Sequence, residues 1–535
     1  MNPDKASCIY ADNPGGNREM LAKLGDLASN DVPLLHVCGS IDPLLGRVSS
    51  VIENIYQQWG GRITVVIKEG AGHHPHSLCD PKPICRHWPG DPESHRRPRG
   101  VRRRDRRGHE RQNPAYTRLF NTMKRPSLTL ALSLLLPVLA MSTSAENWPA
   151  WRGPRGDGTS LETSAPTQWS ATRNVLWKTA LPGAGHSSPV VWGDRIFTAT
   201  AFPDKQERAL LCFDRRTGQV LWRQTVLIAP LEPKNGENSF ASGTPATDGE
   251  RIYVAFLDVK HVAVAAFDFN GKQLWLVRPG EFRNDHGFSS SPILYEDKVI
   301  LSAQSKQGNF LVALSHVDGH TVWKTALENP SNSFGQPLAR LLAGRPQVVL
   351  YGDKAVTSFN PKDGARLWFV ENASTDFVIT PVFSERTGLL LASSSWPKKE
   401  LQAIKPDGQG DATNTKVVWK STRGAPYVPS PIAIDRYFLT VAEAGNAIYC
   451  FDAATAQVLW HEPLGHTYAS PVSVGGLVYF LNDKGVAQII KPGEKYDLVA
   501  SNDLGEECFA SPAISGGQIF LRGATNLYCI GSAEQ

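Results

Sequence analysis

Short runs in which hydrophobic and polar residues alternate recur along the chain from residue 188 to its C-terminus. The first set reads SPVVWGDRIFTATA and, a few residues later, ALLCFDRRTGQVLW. In this set, two runs are joined by a Gly-Asp turn, a third ends in Phe-Asp, and a fourth follows a Thr-Gly turn and ends in Trp. Because a period of two is typical of β-strands and such turns join antiparallel neighbours, the stretch predicts four antiparallel strands.

The same set of runs is present eight times. The copies align on a proline, with spacings from 40 residues, between Pro431 and Pro471, to 56 residues, between Pro189 and Pro245. A repeat of this length with four strands is typical of a propeller blade. The sequence therefore predicts an all-β, eight-bladed β-propeller. The eight prolines are Pro189, Pro245, Pro292, Pro337, Pro381, Pro431, Pro471 and Pro512.

A tryptophan closes most copies at the same place in the pattern. The seventh copy has Leu498-Val499 instead, and the eighth stops before any closing strand, whereas an additional Val175-Leu176-Trp177 run precedes the first copy. We expect this early strand to complete the last sheet, because a ring closed in this way has no open sheet edge. The tryptophans expected to dock neighbouring blades are Trp177, Trp222, Trp275, Trp323, Trp368, Trp419 and Trp460.

The net charge of +5 reflects one segment of the 535-residue chain. Residues 86–125 hold 13 of the 56 Lys and Arg but only 4 of the 51 Asp and Glu, leaving 43 basic against 47 acidic residues elsewhere. The propeller therefore carries no signature of nucleic-acid binding. The eight cysteines have no CxxC spacing, and those at Cys212, Cys450 and Cys529 share one strand position, which favours a packing role. The role of Cys508 stays open.

Residues 1–85 follow a different pattern. The strand-like run VPLLHVCGSIDP precedes a helical stretch, the strand ITVVI and the loop GAGHHPH. This order resembles the C-terminal part of an α/β-hydrolase of the esterase and lipase type, and the resemblance implies Asp42 as the orienting acid and His73 as the general base. No G-x-S-x-G nucleophile elbow precedes Asp42, so we expect a truncated fragment without hydrolase activity.

Two further segments separate this fragment from the propeller. Residues 86–122 are rich in Arg and Pro, which predicts a disordered linker, with a basic arm for nucleic acid as the alternative. Residues 123–145 combine Met123-Lys124-Arg125, an apolar run and small residues, the pattern of a signal peptide that is too short for a stable membrane span. We expect translation to start at Met123 and the propeller to be periplasmic or secreted.

The segment before the first blade and the repeats together carry a family resemblance. Residues 146–173 begin ENWPAWRGPRGDGTS, a composition for an ordered cap, and the blades (residues 174–531) repeat forms of CFDxxTGxxLW. Over residues 147–531 the chain resembles the PQQ-like, or quinoprotein-type, β-propeller repeat family, including its exported BamB-like members that carry no cofactor. The resemblance implies the fold more directly than the function.

Function is expected where the copies differ, in the segment that precedes each blade proline and leads into the innermost strand. An aromatic or His side chain occurs in every copy and predicts a packed ring closing the channel: His186, Phe240, Phe288, Phe334, Phe377, Tyr427, Tyr468 and Phe509. Polar residues of these segments are expected at one mouth of the ring, as a binding face: Glu237, Asn238, Arg283, Asn284, Asp285, His286, Asn332, Asp376, His466, Glu506 and Glu507.

Two functions are compatible with this pattern. The first is a non-catalytic, monomeric binding or scaffold module for a protein or glycan partner, with no cofactor. The alternative is a quinoprotein dehydrogenase using PQQ and calcium, for which Glu237, Asn284 and Asp285 have suitable oxygen ligands. Those dehydrogenases clamp the quinone with adjacent cysteines, which this chain lacks, and Arg283 is nearly the only basic residue available for the carboxylates of PQQ. We therefore favour the binding module.

Overall fold

The computed structural model describes residues 145–532, apart from 330, 373, 443 and 444, and the backbone of two earlier strands. The chain divides into two compact units, Met1–Thr143 and Ser144–Gln535. In the first unit, β1 (Leu34–Gly39) and β2 (Ile63–Lys68) pair in parallel. Asp42, His73, the linker and nearly all of the predicted signal peptide lie outside the described residues, so the hydrolase resemblance stays a prediction. Within the described part, no helix has the length and apolarity to span a membrane.

The described part of the second unit contains eight sheets, each built on four antiparallel strands, which confirms the predicted all-β, eight-bladed propeller. Blades 1 to 7 are formed from strands in chain order, from the innermost strand to the outermost. Before them comes β3 (Val175–Ala180). Blades 1 to 3 consist of β4 (Val190–Trp192), β5 (Arg195–Phe202), β6 (Glu207–Asp214) and β7 (Val220–Ile228); β8 (Ala246–Thr247), β9 (Arg251–Asp258), β10 (His261–Asp268) and β11 (Gln273–Glu281); and β12 (Ile293–Tyr295), β13 (Lys298–Gln304), β14 (Asn309–Ser315) and β15 (Thr321–Ala326).

Additional short strands near blades 4 and 5 extend the sheets of blades 3 and 4. Blade 4 consists of β17 (Leu338–Leu342), β18 (Arg345–Gly352), β19 (Ala355–Phe359) and β20 (Arg366–Glu371), and β16 (Asn332–Ser333) precedes it. Blade 5 consists of β22 (Val382–Ser384), β23 (Leu389–Ser394), β24 (Glu400–Ile404) and β26 (Val417–Ser421). Two short strands flank these elements, β21 (Asp376–Phe377) before blade 5 and β25 (Gly410–Asp411) within it. A 3-10 turn, Pro203–Lys205, joins β5 to β6 in blade 1.

The last three blades complete the ring. They consist of β27 (Ile432–Ile434), β28 (Tyr437–Ala442), β29 (Ala447–Asp452) and β30 (Val458–Pro463); β31 (Val472–Val474), β32 (Leu477–Leu481), β33 (Val486–Ile490) and β34 (Leu498–Asp503); and β35 (Ala513–Ser515), β36 (Gln518–Arg522) and β37 (Asn526–Ile530). The strand β3 pairs antiparallel with β37, with Trp177 opposite Cys529. The predicted closure is therefore correct, and the outer strand of blade 8 comes from the N-terminal side of the propeller.

The tryptophans join each blade to the next. The indole Nε1–H of Trp323, for example, donates to the backbone oxygen of Pro361 in blade 4 at 3.0 Å. The ring also lies against Gly364, where an added Cβ would come within 2.5 Å of it, in a turn with a φ of +72°. Glycine is therefore required at this turn for two reasons: it adopts the positive φ, and it leaves space for the docked ring. Equivalent hydrogen bonds are made by Trp177, Trp222, Trp275, Trp419 and Trp460.

Trp368 is the exception among these tryptophans. Its Nε1–H donates to Gln347 Oε1 of its own blade at 2.7 Å, and the ring is fully buried. The reason is the longer connection between β24 and β26, in which β25 pairs in parallel with β20 and brings Gly408 against the ring. The connection through Asp407 and Gly408 thus extends the sheet of blade 4.

A belt of hydroxyl groups links the innermost strands around the axis. Ser or Thr precedes the blade proline in seven of the eight copies, and Gln336 takes this place in blade 4. Around most of the ring, the backbone N–H of each such residue donates to the hydroxyl of the next blade at 2.9–3.0 Å. We call these residues the hydroxyl belt: Ser188, Thr244, Ser291, Thr380, Ser430, Ser470 and Ser511.

The segment before β3 fills one end of the channel. It contacts the turns between first and second strands, where Gly193 N–H donates to Asn147 Oδ1 at 2.8 Å and Gly517 N–H donates to Glu162 at 2.7 Å. Its Arg152 is 1% exposed and donates to the backbone oxygen of Pro471 at 3.1 Å. Burial lowers the pKa of Arg152 to about 10, partly offset by Asp157. The opposite end of the channel is left for the segments that lead into the blades.

Candidate binding site at the channel mouth

A cavity of about 420 Å³ occupies this opposite end of the channel. Its lining comes mainly from the segments that precede the blade prolines, as the sequence pattern predicts for the functional end. Trp151, from the segment before β3, also contributes to the lining, and its Nε1–H donates to Ser511 Oγ at 3.1 Å. The cavity therefore ends on a tryptophan held by the hydroxyl belt.

The two sides of the cavity differ in chemistry. Blades 8 and 1 to 4 contribute hydroxyl groups from the hydroxyl belt and the amide of Gln336, which interrupts it. Blades 5 and 6 contribute mainly aliphatic groups, with the amide of Asn446 beside them. The polar side consists of Ser511, Ser188, Thr244, Ser291 and Gln336. The apolar side consists of Val378, Val428, Pro429, Val441 and Ala442. A ligand here meets hydrogen-bonding groups on one side and apolar surface on the other.

Aromatic side chains line only part of the mouth. His186 stacks on Phe509 with ring centroids 4.7 Å apart, and Tyr468 packs on Phe509 at 5.6 Å. By contrast, Phe288 is 4% exposed and Phe377 is fully buried, each within the apolar core beside its own blade. The expected ring of eight packed aromatics is therefore wrong, because some of these side chains turn outward between the blades. Their departure from the axis leaves room for the cavity.

Four of the polar residues predicted from the sequence line the cavity: Glu237, Asn238, His286 and His466. The Glu237 carboxylate accepts a hydrogen bond from the hydroxyl of Tyr468 at 3.1 Å, although the two residues lead into blades 2 and 7. Asn238 donates from Nδ2 to the backbone oxygen of His286 at 2.7 Å. His466 Nδ1 lies 2.9 Å from Asp483 Oδ2. Hydrogen bonds thus hold these side chains at the mouth.

The long connection that supplies Glu237 and Asn238 has a buried anchor. This connection, residues 229–245, contains Glu232, whose carboxylate forms an ion pair with the guanidinium of Arg208 on β6. Arg208 is fully buried and Glu232 is 7% exposed, and burial raises the pKa of Glu232 against the opposing effect of Arg208. Removal of one partner of such a pair leaves a buried charge, so the pair strongly constrains where this connection runs.

Three other predicted residues form a hydrogen-bonded row beside the cavity. Asn284 Nδ2 donates to Asn332 Oδ1 at 3.0 Å, and Asn332 Nδ2 donates to Asp376 Oδ1 at 3.0 Å. The backbone supports this row, because β16 and β21 pair in parallel with Asn332 opposite Asp376. Asn284 Oδ1 in turn accepts the backbone N–H of His286 at 2.8 Å. The row orients His286 without itself lining the cavity.

The remaining predicted residues do not line the cavity. Arg283, Asp285 and Glu507 are exposed. Glu506 accepts hydrogen bonds from the backbone N–H groups of Thr525 and Asn526 at 2.6 and 3.0 Å, and from the Tyr528 hydroxyl. Burial raises the pKa of Glu506, but these hydrogen bonds outweigh it and hold the pKa below its usual value. Its carboxylate is therefore occupied in fastening the turn before β37.

His186 is uncharged at neutral pH. Burial lowers its pKa to about 4, with further lowering by the positive charges of Arg522 and Lys234. Arg522 is 1% exposed and donates through Nη1 to the backbone oxygen of Ala199 at 2.7 Å, and its burial lowers its pKa to about 9. The stacked His186 therefore acts as an aromatic surface at the mouth.

Sequence reasoning missed Gln336, which lines the cavity and is 4% exposed. The signal is present in the sequence, because Gln336 is the one residue in the belt position that is neither Ser nor Thr. Cys508 is also placed by the fold: it is fully buried, and burial raises its pKa to about 12. The other three described cysteines, Cys212, Cys450 and Cys529, are likewise buried.

Comparison with known families agrees with the propeller. The family model described as outer membrane protein assembly factor BamB matches residues 205–395 and 398–534. The chain belongs to this family. Membership of the BamB family confirms the predicted resemblance to PQQ-like propeller repeats. No curated protein matches the chain.

Several solved structures are similar to this BamB-family chain. BamB from Moraxella catarrhalis is 14% identical, with a TM-score of 0.48, and the match covers 67% of this chain and 99% of that one. Quinohemoprotein alcohol dehydrogenase ADHIIG from Pseudomonas putida HK5 is 10% identical, with a TM-score of 0.49 and coverage of 72% and 81%. Sqt1 from Saccharomyces cerevisiae is 10% identical, with a TM-score of 0.46 and coverage of 70% and 100%.

The mouth was tested for the chemistry that PQQ and calcium require. None of the described side chains lining the cavity is Lys or Arg, which the carboxylates of PQQ would need. Across the same described residues, no group of three or more His, Cys, Asp or Glu is placed to hold a metal ion. Of the suggested calcium ligands, Asn284 Oδ1 accepts the backbone N–H of His286, Asp285 does not line the cavity, and Glu237 does line it. The described lining thus offers one carboxylate, Glu237, and lacks basic residues for the carboxylates of PQQ.

Proposed function

We propose that this BamB-family propeller is an exported, non-catalytic binding module whose mouth cavity receives a protein or glycan partner. The observation that carries the proposal is the cavity itself, with one hydrogen-bonding side, one apolar side and no cationic lining residue among those described. Its volume of about 420 Å³ lies in the range of small-ligand sites, roughly 300–1,000 Å³.

The lining is already organised for binding. The connection that carries Glu237 is anchored by the Arg208–Glu232 ion pair, and the row from Asn284 to Asp376 orients His286. A site whose side chains are held in place loses less conformational freedom when a ligand binds. This rigidity supports recognition by the mouth.

The titratable groups of the lining are not arranged for a reaction. Asp483 lies behind the ring of His466, as an orienting carboxylate does behind a general base. Within the described residues, however, no hydroxyl or thiol hydrogen-bonds to that ring, so a nucleophile next to the base is lacking. His186, uncharged and stacked, presents a surface and not a proton acceptor. These features favour binding over catalysis.

The proposed location is the periplasm or the exterior of the cell, with no cofactor bound. It follows from the signal-peptide pattern at residues 123–145. Mass spectrometry of the native protein's N-terminus tests it. A mature chain starting near Glu146 supports export from a start at Met123. A native chain that retains residues 1–122 contradicts it.

The proposed function is tested by two measurements on the full chain. Titration with PQQ and calcium, followed by quinone absorbance and by melting temperature, is expected to leave both unchanged. A bound quinone, with a raised melting temperature, would establish the dehydrogenase alternative.

The second measurement is site-specific photo-crosslinking in cells. A photoreactive residue replaces Ser289, which lines the cavity, or Arg386, whose exposed side chain lies at the opposite end of the propeller. We expect a specific adduct from position 289 and not from position 386. Adducts from position 386 alone would overturn the assignment of the mouth as the binding face.

A further inference from the structure

One side chain in the cavity lacks the hydrogen bond that its burial requires. Gln336 is 4% exposed, and its Oε1 has no hydrogen-bond partner within the described part of the chain. A buried acceptor without a partner costs about 1–3 kcal/mol, so native proteins rarely retain one without a reason. Gln336 lines the cavity, and a half-turn of its side-chain amide exchanges Oε1 with Nε2 and presents the acceptor to a donor of a bound ligand.

The neighbouring hydroxyl groups present donors to the same space. Ser188, Thr244 and Ser291 each accept a backbone N–H from an adjacent blade. A hydroxyl group that accepts one hydrogen bond still has its own proton to donate. None of these three protons goes to an acceptor in the described residues. Blades 1 to 4 therefore offer three hydroxyl donors, followed by the Gln336 amide, which donates or accepts according to its orientation, along one side of the cavity.

The opposite side suits an apolar surface. Val378, Val428 and Val441 face the space from blades 5 and 6, and Tyr468 and Phe509 add aromatic surface at the mouth. A pyranose ring has this combination of properties. Its hydroxyl groups both donate and accept along its edge, and its C–H groups form apolar faces that pack on aromatic and aliphatic side chains.

The charges of the lining restrict the ligand further. No Lys or Arg is among the described lining residues, so a phosphate or carboxylate on the polar side would have no ion-pair partner in the lining. The positive charges of Arg522 and Lys234 act at His186, and the Arg522 guanidinium is itself buried and bonded to backbone oxygen. Glu237, the carboxylate of the lining, is exposed and accepts a hydrogen bond from Tyr468. An uncharged ligand avoids the cost of desolvating an anion or a cation in this cavity.

We propose that the mouth cavity binds a neutral saccharide, whose hydroxyl groups pair with Gln336 and the hydroxyl belt and whose C–H face packs on the apolar side. The inference rests on the proposed function and names its ligand class. An uncharged peptide segment and ordered water alone are the competing occupants, and the experiment below separates them from a saccharide.

The experiment uses the full chain on an array of neutral and acidic glycans, followed by calorimetry with the best neutral oligosaccharide. We expect binding of neutral glycans and no preference for sulfated, phosphorylated or uronic-acid glycans. Gln336→Leu is expected to weaken binding about three- to tenfold, as for the loss of one ligand hydrogen bond. The same variant without ligand is expected to be as stable as the natural chain or more stable, because it removes an unpaired buried acceptor.

Gln402→Leu is the matched control. Gln402 is also fully buried with an unpaired Oε1, but it lies between blades 4 and 5, outside the mouth cavity. We expect unchanged glycan affinity in this variant. Equal weakening by both variants would indicate a general structural effect and would overturn the role of Gln336.

Failure of the inference can be told apart from failure of the proposed function. If no neutral glycan binds while position 289 still forms a specific protein adduct, the saccharide is wrong and the binding module stands, with a peptide as the occupant. If neither occurs, both are wrong. Binding of acidic glycans alone would refute the inference that the lining excludes anionic ligands.

Discussion

His186 allows a direct test of the electrostatics at the mouth. Its ring stacks on Phe509 at 4.7 Å, and its pKa lies at about 4 because of burial and the positive charges of Arg522 and Lys234. The perturbation is His186→Phe. Phe leads into other blades at the corresponding position, as Phe240 does in blade 2, so the substitution keeps an aromatic ring on Phe509 and removes the titrating group.

The magnitude follows from the difference between the two pKa values. The ordinary value of 6.5 applies in the unfolded chain, so the shift to about 4 corresponds to roughly 3 kcal/mol at 1.36 kcal/mol per unit. Because the folded-state pKa of His186 is depressed, the uncharged ring costs the folded chain nothing above about pH 6.5, where His186 is also uncharged in the unfolded chain. As the pH falls from 6.5 toward 4, the free energy of unfolding decreases, because His186 is protonated in the unfolded chain before it is protonated in the folded one. Relative to the natural chain, the Phe variant should gain about 3 kcal/mol between pH 7.5 and pH 4.

The assay is urea unfolding at several pH values from 7.5 to 4, followed by tryptophan fluorescence. The quantity of interest is the difference in unfolding free energy between variant and natural chain, because other carboxyl groups titrate equally in both. His461→Phe controls for loss of a stacked imidazole, since His461 stacks on Tyr449 at 5.1 Å on the exposed outer surface of blade 6. A difference for His186→Phe that does not change with pH would refute the reasoning.

Four further predictions concern the fold. Trp323→Ala should lower the unfolding free energy by about 3–5 kcal/mol, and Trp323→Phe by about 2 kcal/mol, since Phe loses the hydrogen bond to Pro361 and fills only part of the indole site; urea unfolding distinguishes them. Gly364→Ala should cost at least about 1–2 kcal/mol from its positive φ alone, and a neutral result would contradict the close docking of the Trp323 ring. Glu506→Gln should cost about 2 kcal/mol at pH 7, and this cost should shrink as the pH falls through the ordinary range of Glu, because a depressed folded-state pKa loses its contribution on acidification; unfolding at pH 7 and pH 4 measures it. The four described cysteines should resist alkylation at pH 8 until the chain is unfolded, and peptide mapping that finds Cys508 labelled in the native protein would contradict its burial.

The parts of the site that were predictable from the sequence are those set by position in the repeat. The segments that precede the prolines do meet at one end of the channel, because every copy leads into its innermost strand in the same way. Glu237, Asn238, His286 and His466 could therefore be placed at the mouth before the fold was known. Gln336 was also accessible, as the one departure from Ser or Thr in its register.

Other residues could not be assigned from their position, because their neighbours come from distant parts of the chain. Glu506 has the chemistry of a binding residue, yet its carboxylate is used by Thr525, Asn526 and Tyr528. Phe377 stands in the same register as Phe509, but it turns into the core against Tyr351. Whether a side chain faces the axis or the space between blades depends on the room left by the neighbouring blade, which no local pattern records.

The sequence by itself determined the number of blades, the closing role of the Trp177 strand and the end of the ring where function is expected. These features are repeated, and repetition makes weak local signals such as alternation, turn residues and closing tryptophans add up. Only the tertiary structure decided that the mouth holds a two-sided cavity, that Gln336 lacks a partner there and that Trp368 docks within its own blade. Each of these depends on packing between blades, where the free space and the hydrogen-bond partners are set by residues far apart in the chain.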